Sequence, residues 1–94
     1  MMKSRIQESI DQAKEDAVRV GQGLKAKNST FSGFLFKKDG EGFREILLLF
    51  GKGKEIKKVP VQAYDAEHGT SLSSELDDPS LLLLEGRRDF PVFV

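Results

Sequence analysis

The 94-residue sequence contains no cysteine and only one histidine. The lack of cysteine excludes disulfide bonds, a thiolate nucleophile and cysteine-ligated zinc. A small domain without disulfides fits a reducing compartment, so we expect a cytoplasmic protein. A chain of this length is expected to fold as one domain, residues 1–94, and to bury only about 60–65% of the surface of its unfolded form.

The sequence also lacks an excess of charge of either sign and any long apolar run. Fifteen basic residues balance fifteen acidic ones, so no overall field draws the protein to nucleic acid or to an acidic membrane. The longest apolar runs, residues 46–50 and 81–84, are far shorter than the roughly twenty residues of a membrane-spanning helix. The first residues lead into a charged helix and not into the apolar core of a secretory signal. We therefore expect a soluble protein without a membrane partner.

An amphipathic helix is predicted near the start of the chain, over residues 4–25. Ser4 and Gln7 have the spacing of a capping box, and Gly21 and Gly23 are natural stop signals. The apolar stripe also suits a partner helix, but its two alanines and the need to cover a sheet favour packing within the chain. Apolar residues recur every three or four positions along one face, at Ile6, Ile10, Ala13, Ala17, Val20 and Leu24.

An antiparallel β-meander is predicted for residues 30–64, organised around the apolar run at 43–50. Glycine-containing turns bound this run at residues 39–42 and 51–54. A strand precedes the first turn, and another follows the second turn to the end of the meander. Pro60 cannot donate to a ladder, so the third strand is expected to have a free edge there.

An acidic stretch and an apolar C-terminal segment complete the chain. Residues 65–79 carry five acidic side chains and no lysine or arginine, which predicts a long loop with at most one helical turn, at residues 71–76. Within the C-terminal segment, residues 80–94, the leucines at 81–84 form either a strand or a short helix, and a strand starts at Phe90. The predicted fold class is therefore α+β, with the helix packed on an antiparallel sheet of four to five strands.

The central strand is apolar on both faces, and this surplus leads to the functional prediction. One helix covers one face of a sheet, which leaves the second face to the C-terminal segment, to a second copy of the chain or to another protein. The apolar C-terminus can also pair with an open sheet edge. We predict a non-enzymatic protein-interaction module that forms a homodimer, and regulation or inhibition of another protein suits its size. The predicted binding residues are Phe43, Leu47, Leu49, Phe90, Val92 and Phe93.

A site for phosphate or nucleic acid at the lysine-rich turns is the alternative hypothesis. Glycine amides and lysine side chains together bind phosphate, and Phe31 or Tyr64 would stack on a base. The P-loop pattern is absent, and interspersed acidic residues reduce the local charge, so this partner is not favoured. The candidate residues are Lys37, Lys38, Lys52, Lys54, Lys57 and Lys58.

His68 supports the last hypothesis, a metal-dependent site in the acidic stretch. Asp65 and either Asp77 or Asp78 would join it around a divalent ion. Their spacing matches no metal signature, so a surface histidine is the favoured interpretation. We predict no catalytic residue, no metal and no cofactor.

Overall fold

The computed structural model of the chain describes residues 4–38, 44–76 and 89–94. Over these residues a long N-terminal helix packs on one face of a four-stranded antiparallel sheet, which confirms the predicted α+β fold class. None of the described helices is long and apolar enough to cross a membrane.

Helix α1 spans Arg5–Lys27 and begins where the capping pattern predicts. The Ser4 side chain accepts a hydrogen bond of 3.0 Å from the amide of Gln7. The Gln7 side chain does not complete the box, because it donates to Asp11 at 3.0 Å instead. The capping therefore comes from the serine hydroxyl, which satisfies one amide of the first turn.

Both predicted stop signals lie inside α1. A Cβ atom on Gly21 would lie 2.7 Å from Cγ1 of Val94 and 3.0 Å from Cε2 of Phe34, so glycine allows α1 to approach the sheet closely. A Cβ atom on Gly23 would meet no atom within 4 Å. Glycine in a helix interior costs about 0.5–1 kcal/mol relative to alanine, and at Gly23 no close packing explains it.

The strands are β1 (Phe31–Lys38), β2 (Arg44–Phe50), β3 (Lys57–Pro60) and β4 (Asp89–Phe93). Their order in the sheet is β3-β2-β1-β4, and each neighbouring pair is antiparallel. The first three strands thus form a meander, and β4 returns to pair with β1. The predicted turn at residues 39–42 lies outside the described residues.

A bulge in β1 changes which side chains face α1. The β1–β2 register shifts between Phe31 and Gly33, and a bulge adds one residue to the alternation of the strand. Phe31 therefore shares a face with Phe34 and Phe36, whereas strict alternation had predicted the opposite face. All three rings are buried in the core.

The third strand is shorter than predicted, because β3 ends at Pro60 and helix α2 follows over Val61–His68. Proline fixes its φ near −65° and has no N–H group, so it suits the entry to a helix and ends a ladder. Val61 is buried in the core and Tyr64 packs against it. Their spacing of three places both on one face of α2, whereas a strand would have turned them to opposite faces.

The predicted acidic loop is largely helical where the structure describes it. Helix α2 ends at Gly69, which adopts a left-handed conformation with φ of 65°. Helix α3, Leu72–Glu75, is the single turn that the sequence predicted. Leu72 and Leu76 are buried in the core. The loop's last residues and the leucines at 81–84 lie outside the described residues.

The core lies between α1 and the sheet face that packs on it, which we call the inner face. Helices α2 and α3 close it beside β2 and β3. The opposite side of the sheet is the outer face. The buried residues of the core are Ala13, Ala17, Leu24, Phe31, Phe34, Phe36, Ile46, Leu48, Val61, Leu72, Leu76 and Val92.

Candidate functional site

The strand register orders the outer face into three rows. Side chains alternate along each strand, so the neighbours of the inward-facing Phe34, Leu48 and Val92 lie on the outer face. The middle of this face is apolar, one end carries Lys58, and the other end carries two carboxylates. From β4 towards β3 the rows are Phe93, Gly33, Leu49 and Lys58; then Pro91, Leu35, Leu47 and Pro60; then Asp89, Lys37 and Glu45.

Phe93 is the large exposed side chain of the apolar rows, in which Pro60 and Pro91 are also exposed. Its side chain is 65% exposed, and no other large apolar side chain among the described residues is classed as exposed. Its cross-strand partner on β1 is Gly33, which has no side chain to cover the ring. Phe93 therefore presents an aromatic side chain at the margin of the sheet.

The other predicted binding residues are not free at the surface. Leu47 and Leu49 are only 8% and 5% exposed within the single chain. Val92 is buried on the inner face, and Phe90 packs against the core, with Nζ of Lys14 lying 5.2 Å from its ring centroid. Phe43 lies outside the described residues. Of the predicted set, Phe93 alone has a side chain that the structure shows to be available for a partner.

The open edge of β4 is a poor template for strand addition. The amide of Val94 donates to the carbonyl of Ser32 at 3.0 Å, and backbone pairing alternates along an antiparallel ladder. Val92 and Phe90 therefore also direct their backbone groups to β1, while Pro91 directs its nitrogen to the open edge. Proline has no proton to donate, so the middle of this edge lacks a hydrogen-bond donor.

The edge at β3 is blocked in the same way. The same alternation directs the backbone groups of Leu48 towards β3 and those of Leu47 towards β1. Pro60 lies opposite Leu47, so its nitrogen points away from the sheet, as the sequence predicts for a free edge. Both edges of the described sheet thus carry a proline in the outward position, which favours side-chain contacts over an added strand.

The six candidate lysines divide between opposite ends of the sheet. Lys37 and Lys38 lie at the C-terminal end of β1, and Lys37 has Glu45 and Asp89 as cross-strand neighbours. The other four follow β2 or lie in β3, at the end where β1 begins. Six residues of strand span about 20 Å, so one anion cannot reach both groups. A phosphate ligand would therefore use one group or the other, whereas a nucleic-acid strand is long enough to contact both; Lys52, Lys54, Lys57 and Lys58 are all exposed.

Asp65 caps helix α3 in the structure. Its carboxylate accepts hydrogen bonds from the Thr70 hydroxyl at 2.6 Å and from the amides of Leu72 and Ser73 at 2.9 Å each. Partial burial raises the pKa of this carboxyl, but the hydrogen bonds outweigh it and lower the pKa from 3.8 to about 2. Asp65 thus joins α2 to α3, and its carboxylate oxygens are engaged in the hydrogen bonds of that junction.

His68 stacks on Tyr64, one turn earlier in α2. The ring centroids are 4.0 Å apart and the planes differ by 19°. Nδ1 of His68 lies 3.1 Å from the carbonyl oxygen of Tyr64. The described residues bring together no group of three metal-ligating side chains, and Asp77 and Asp78 lie outside them.

Comparisons of the chain with protein-family models, curated proteins and solved structures find no match. The candidate sites therefore rest on the geometry alone.

An open pocket with a volume of about 680 Å³ lies between α1 and the α2–α3 segment. Sequence reasoning missed it, because Tyr64 and His68 were assigned to a strand and a loop and meet only in a helix. Gly23 was visible in the sequence as a glycine within the helical pattern, but the pattern alone gave no signal of a pocket. The lining residues are Arg19, Val20, Gly23, Leu24, Lys27, Tyr64, His68, Thr70, Leu72 and Glu75.

We expect Asp65→Ala to lower the free energy of unfolding by about 0.5–2 kcal/mol at pH 7, because it removes a helix cap. The wild-type carboxylate has a lower pKa folded than unfolded, so its stabilisation is complete above about pH 4 and is lost as the pH falls towards about 2. Asp65→Ala lacks this stabilisation, so its free energy of unfolding should fall less than that of the wild type over the same pH range. Urea unfolding between pH 7 and pH 2 measures both effects.

The matched control is Glu67→Ala, which removes an exposed carboxylate from the same helix. It should keep the acid sensitivity of the wild type. If Asp65→Ala and Glu67→Ala have the same pH dependence as the wild type, Asp65 does not supply this stabilisation.

Proposed function

We propose that the protein is a non-enzymatic protein-interaction module that binds a second copy of itself through Phe93 at the margin of the outer face. The observation that carries the proposal is the 65% exposure of Phe93 on a strand whose adjacent residue, Val92, is buried. Aromatic residues are enriched in the centres of interfaces and depleted on free surfaces. The cytoplasmic location expected from the sequence is part of this proposal.

Burial of Phe93 supplies energy for association. A phenylalanine side chain contributes about 1.5–3 kcal/mol when it moves from full exposure to full burial. In a dimer with two-fold symmetry each residue of the interface occurs twice. Phe93 is 65% exposed in the single chain, so two copies would contribute roughly 2–4 kcal/mol before the costs of association are subtracted.

The charges of the outer face favour a second copy as the partner. One end of this face carries Lys58, and the other carries Asp89 and Glu45 around Lys37. Each copy therefore offers both signs of charge to a second copy. The net charge of zero adds no overall repulsion between copies.

The contact is expected to use side chains and not an extended ladder. Pro60 and Pro91 remove outward donors from the two described edges, as the register shows. Strand addition across β4 would leave the carbonyl groups opposite Pro91 without a donor. Packing of Phe93 over the face of a second copy requires no such donor.

We expect Phe93→Ser to raise the dimer dissociation constant by about 100-fold or more, since about 3 kcal/mol corresponds to two factors of ten. Sedimentation equilibrium measures the constant, and circular dichroism checks that the fold is retained. The control is Ala66→Ser, which places the same side chain at an exposed position of α2. It should leave the constant unchanged. Equal association of Phe93→Ser and the wild type would contradict the proposal.

A further inference from the structure

The pocket between α1 and the α2–α3 segment has the size of a small-molecule site. Its volume of about 680 Å³ lies within the range of roughly 300–1,000 Å³ that is typical of small-molecule sites. Leu24 and Leu72 give it an apolar floor, and both are buried. Phe93 is not among the residues that line it, so the pocket and the proposed dimer surface are distinct.

Gly23 provides an independent reason to regard this pocket as a binding site. A Cβ atom at this position would meet no atom within 4 Å, whereas one at Gly21 would lie 2.7 Å from Cγ1 of Val94. Close packing therefore explains Gly21 and does not explain Gly23, although glycine weakens a helix at both positions. Gly23 lines the pocket, and its missing side chain leaves the helix backbone open to a ligand.

The opposite wall offers a flat aromatic surface. Tyr64 is half-buried and His68 is exposed, and their rings stack with centroids 4.0 Å apart. Tyr64 also stacks on Phe50 with a centroid distance of 6.3 Å. Tyr64 therefore lies between Phe50 and His68, and the outer face of His68 is the aromatic face on which a planar ligand can stack.

The charges around the pocket favour an anion. Lys27 and Arg19 line it from α1, while Glu75 is the one carboxylate among the described residues that line it. Arg19 already pairs with Asp16 at 3.2 Å. Lys27 makes no ion pair with any residue in the described part of the chain and lies in the last turn of α1, so it is the cation available to a ligand.

We infer that this pocket binds a small planar aromatic anion, whose ring stacks on His68 and whose charged group meets Lys27. Aromatic carboxylates are the simplest members of this class. The apolar floor and the aromatic wall hold the ring, and the lysine selects the charge.

The experiment is a titration of the protein with 2-naphthoate, followed by amide chemical shifts, beside the uncharged 2-naphthamide. Saturable binding is expected, with the largest shift changes at the amides of Gly23, Lys27 and Thr70. The uncharged 2-naphthamide should bind at least tenfold more weakly than 2-naphthoate. Lys27→Gln should remove most of this difference between the two probes.

The decisive variant is Gly23→Leu, which adds a side chain to the pocket at a position where a Cβ atom would meet no atom within 4 Å. It should weaken 2-naphthoate binding at least tenfold, and its urea midpoint should not fall below that of the wild type because leucine favours the helix. The control Gln22→Leu introduces the same side chain at the preceding residue, which is exposed. It should leave binding unchanged. Absence of binding at millimolar 2-naphthoate, shift changes confined to other surfaces, or unchanged binding by Gly23→Leu would each overturn the inference.

Discussion

Replacement of Phe34 by alanine is expected to lower the free energy of unfolding by about 3–5 kcal/mol, the range for a buried phenylalanine. The ring has no exposed surface. It lies edge-on to Phe31 at a centroid distance of 5.1 Å and beside Phe36 at 6.0 Å. Small domains have a total stability of only about 5–15 kcal/mol, so this substitution should remove a large part of it. Urea unfolding followed by circular dichroism measures the loss.

Phe93→Ala is the matched control, because it removes the same side chain from the opposite face of the sheet. With 65% of the side chain exposed, the expected loss is below about 1 kcal/mol. Monomeric conditions separate this effect from dissociation. Similar losses in the two variants would mean that Phe34 and Phe93 are not divided between core and surface as described.

Deletion of residues 90–94 is expected to abolish cooperative folding. This segment contributes Val92 to the core, and Phe90 and Val94 pack against it. It also pairs with β1 throughout β4, and the carbonyl of Val94 accepts a hydrogen bond of 3.2 Å from Nζ of Lys25. Burial of three such side chains contributes roughly 3–6 kcal/mol, which is comparable to the whole stability of a small domain.

Thermal unfolding and an amide correlation spectrum of the truncated chain test this expectation. Phe93→Ser serves as the control within the same strand, because it changes an outward-facing residue and leaves the inward-facing ones in place. It should keep a dispersed spectrum. A truncated chain with a dispersed spectrum and the wild-type unfolding midpoint would show that β4 is a detachable tail.

The fold class could be predicted because its signals are local. Ser4 and Gln7 mark the start of α1, and the apolar stripe predicts its buried face. The strands β1 and β2 are apolar, rich in β-formers and separated by glycines. These patterns specify elements without knowledge of their neighbours, so they remain valid whatever the tertiary arrangement.

The differences arise where the tertiary structure decides between local alternatives. The bulge at Ser32 and Gly33 moves Phe31 to the inner face, and no local sequence pattern predicts this bulge. The sequence around Val61 and Tyr64 is compatible with a strand and with a helix, and the end of the ladder at Pro60 decides between them. Packing on the core then favours the helix over the intrinsic propensity of the segment.

The candidate sites could be predicted only in part, because they too depend on the tertiary structure. The sequence predicts an apolar C-terminal strand, but only its pairing with β1 shows that Val92 faces inward and Phe93 outward. The pocket depends on a helix at Tyr64 and His68 and on the approach of α1, which are features of the assembled fold. Gly23 was visible in the sequence, but its environment was not.

The most direct test of the central claim is the absolute mass of the wild-type protein in solution, measured by light scattering over a wide range of concentration. If the outer face binds a second copy through Phe93, the mass should rise from the chain mass of 10.5 kDa towards twice that value, and Phe93→Ser should remain at the chain mass. A wild-type mass of 10.5 kDa at every concentration would contradict self-association through this face.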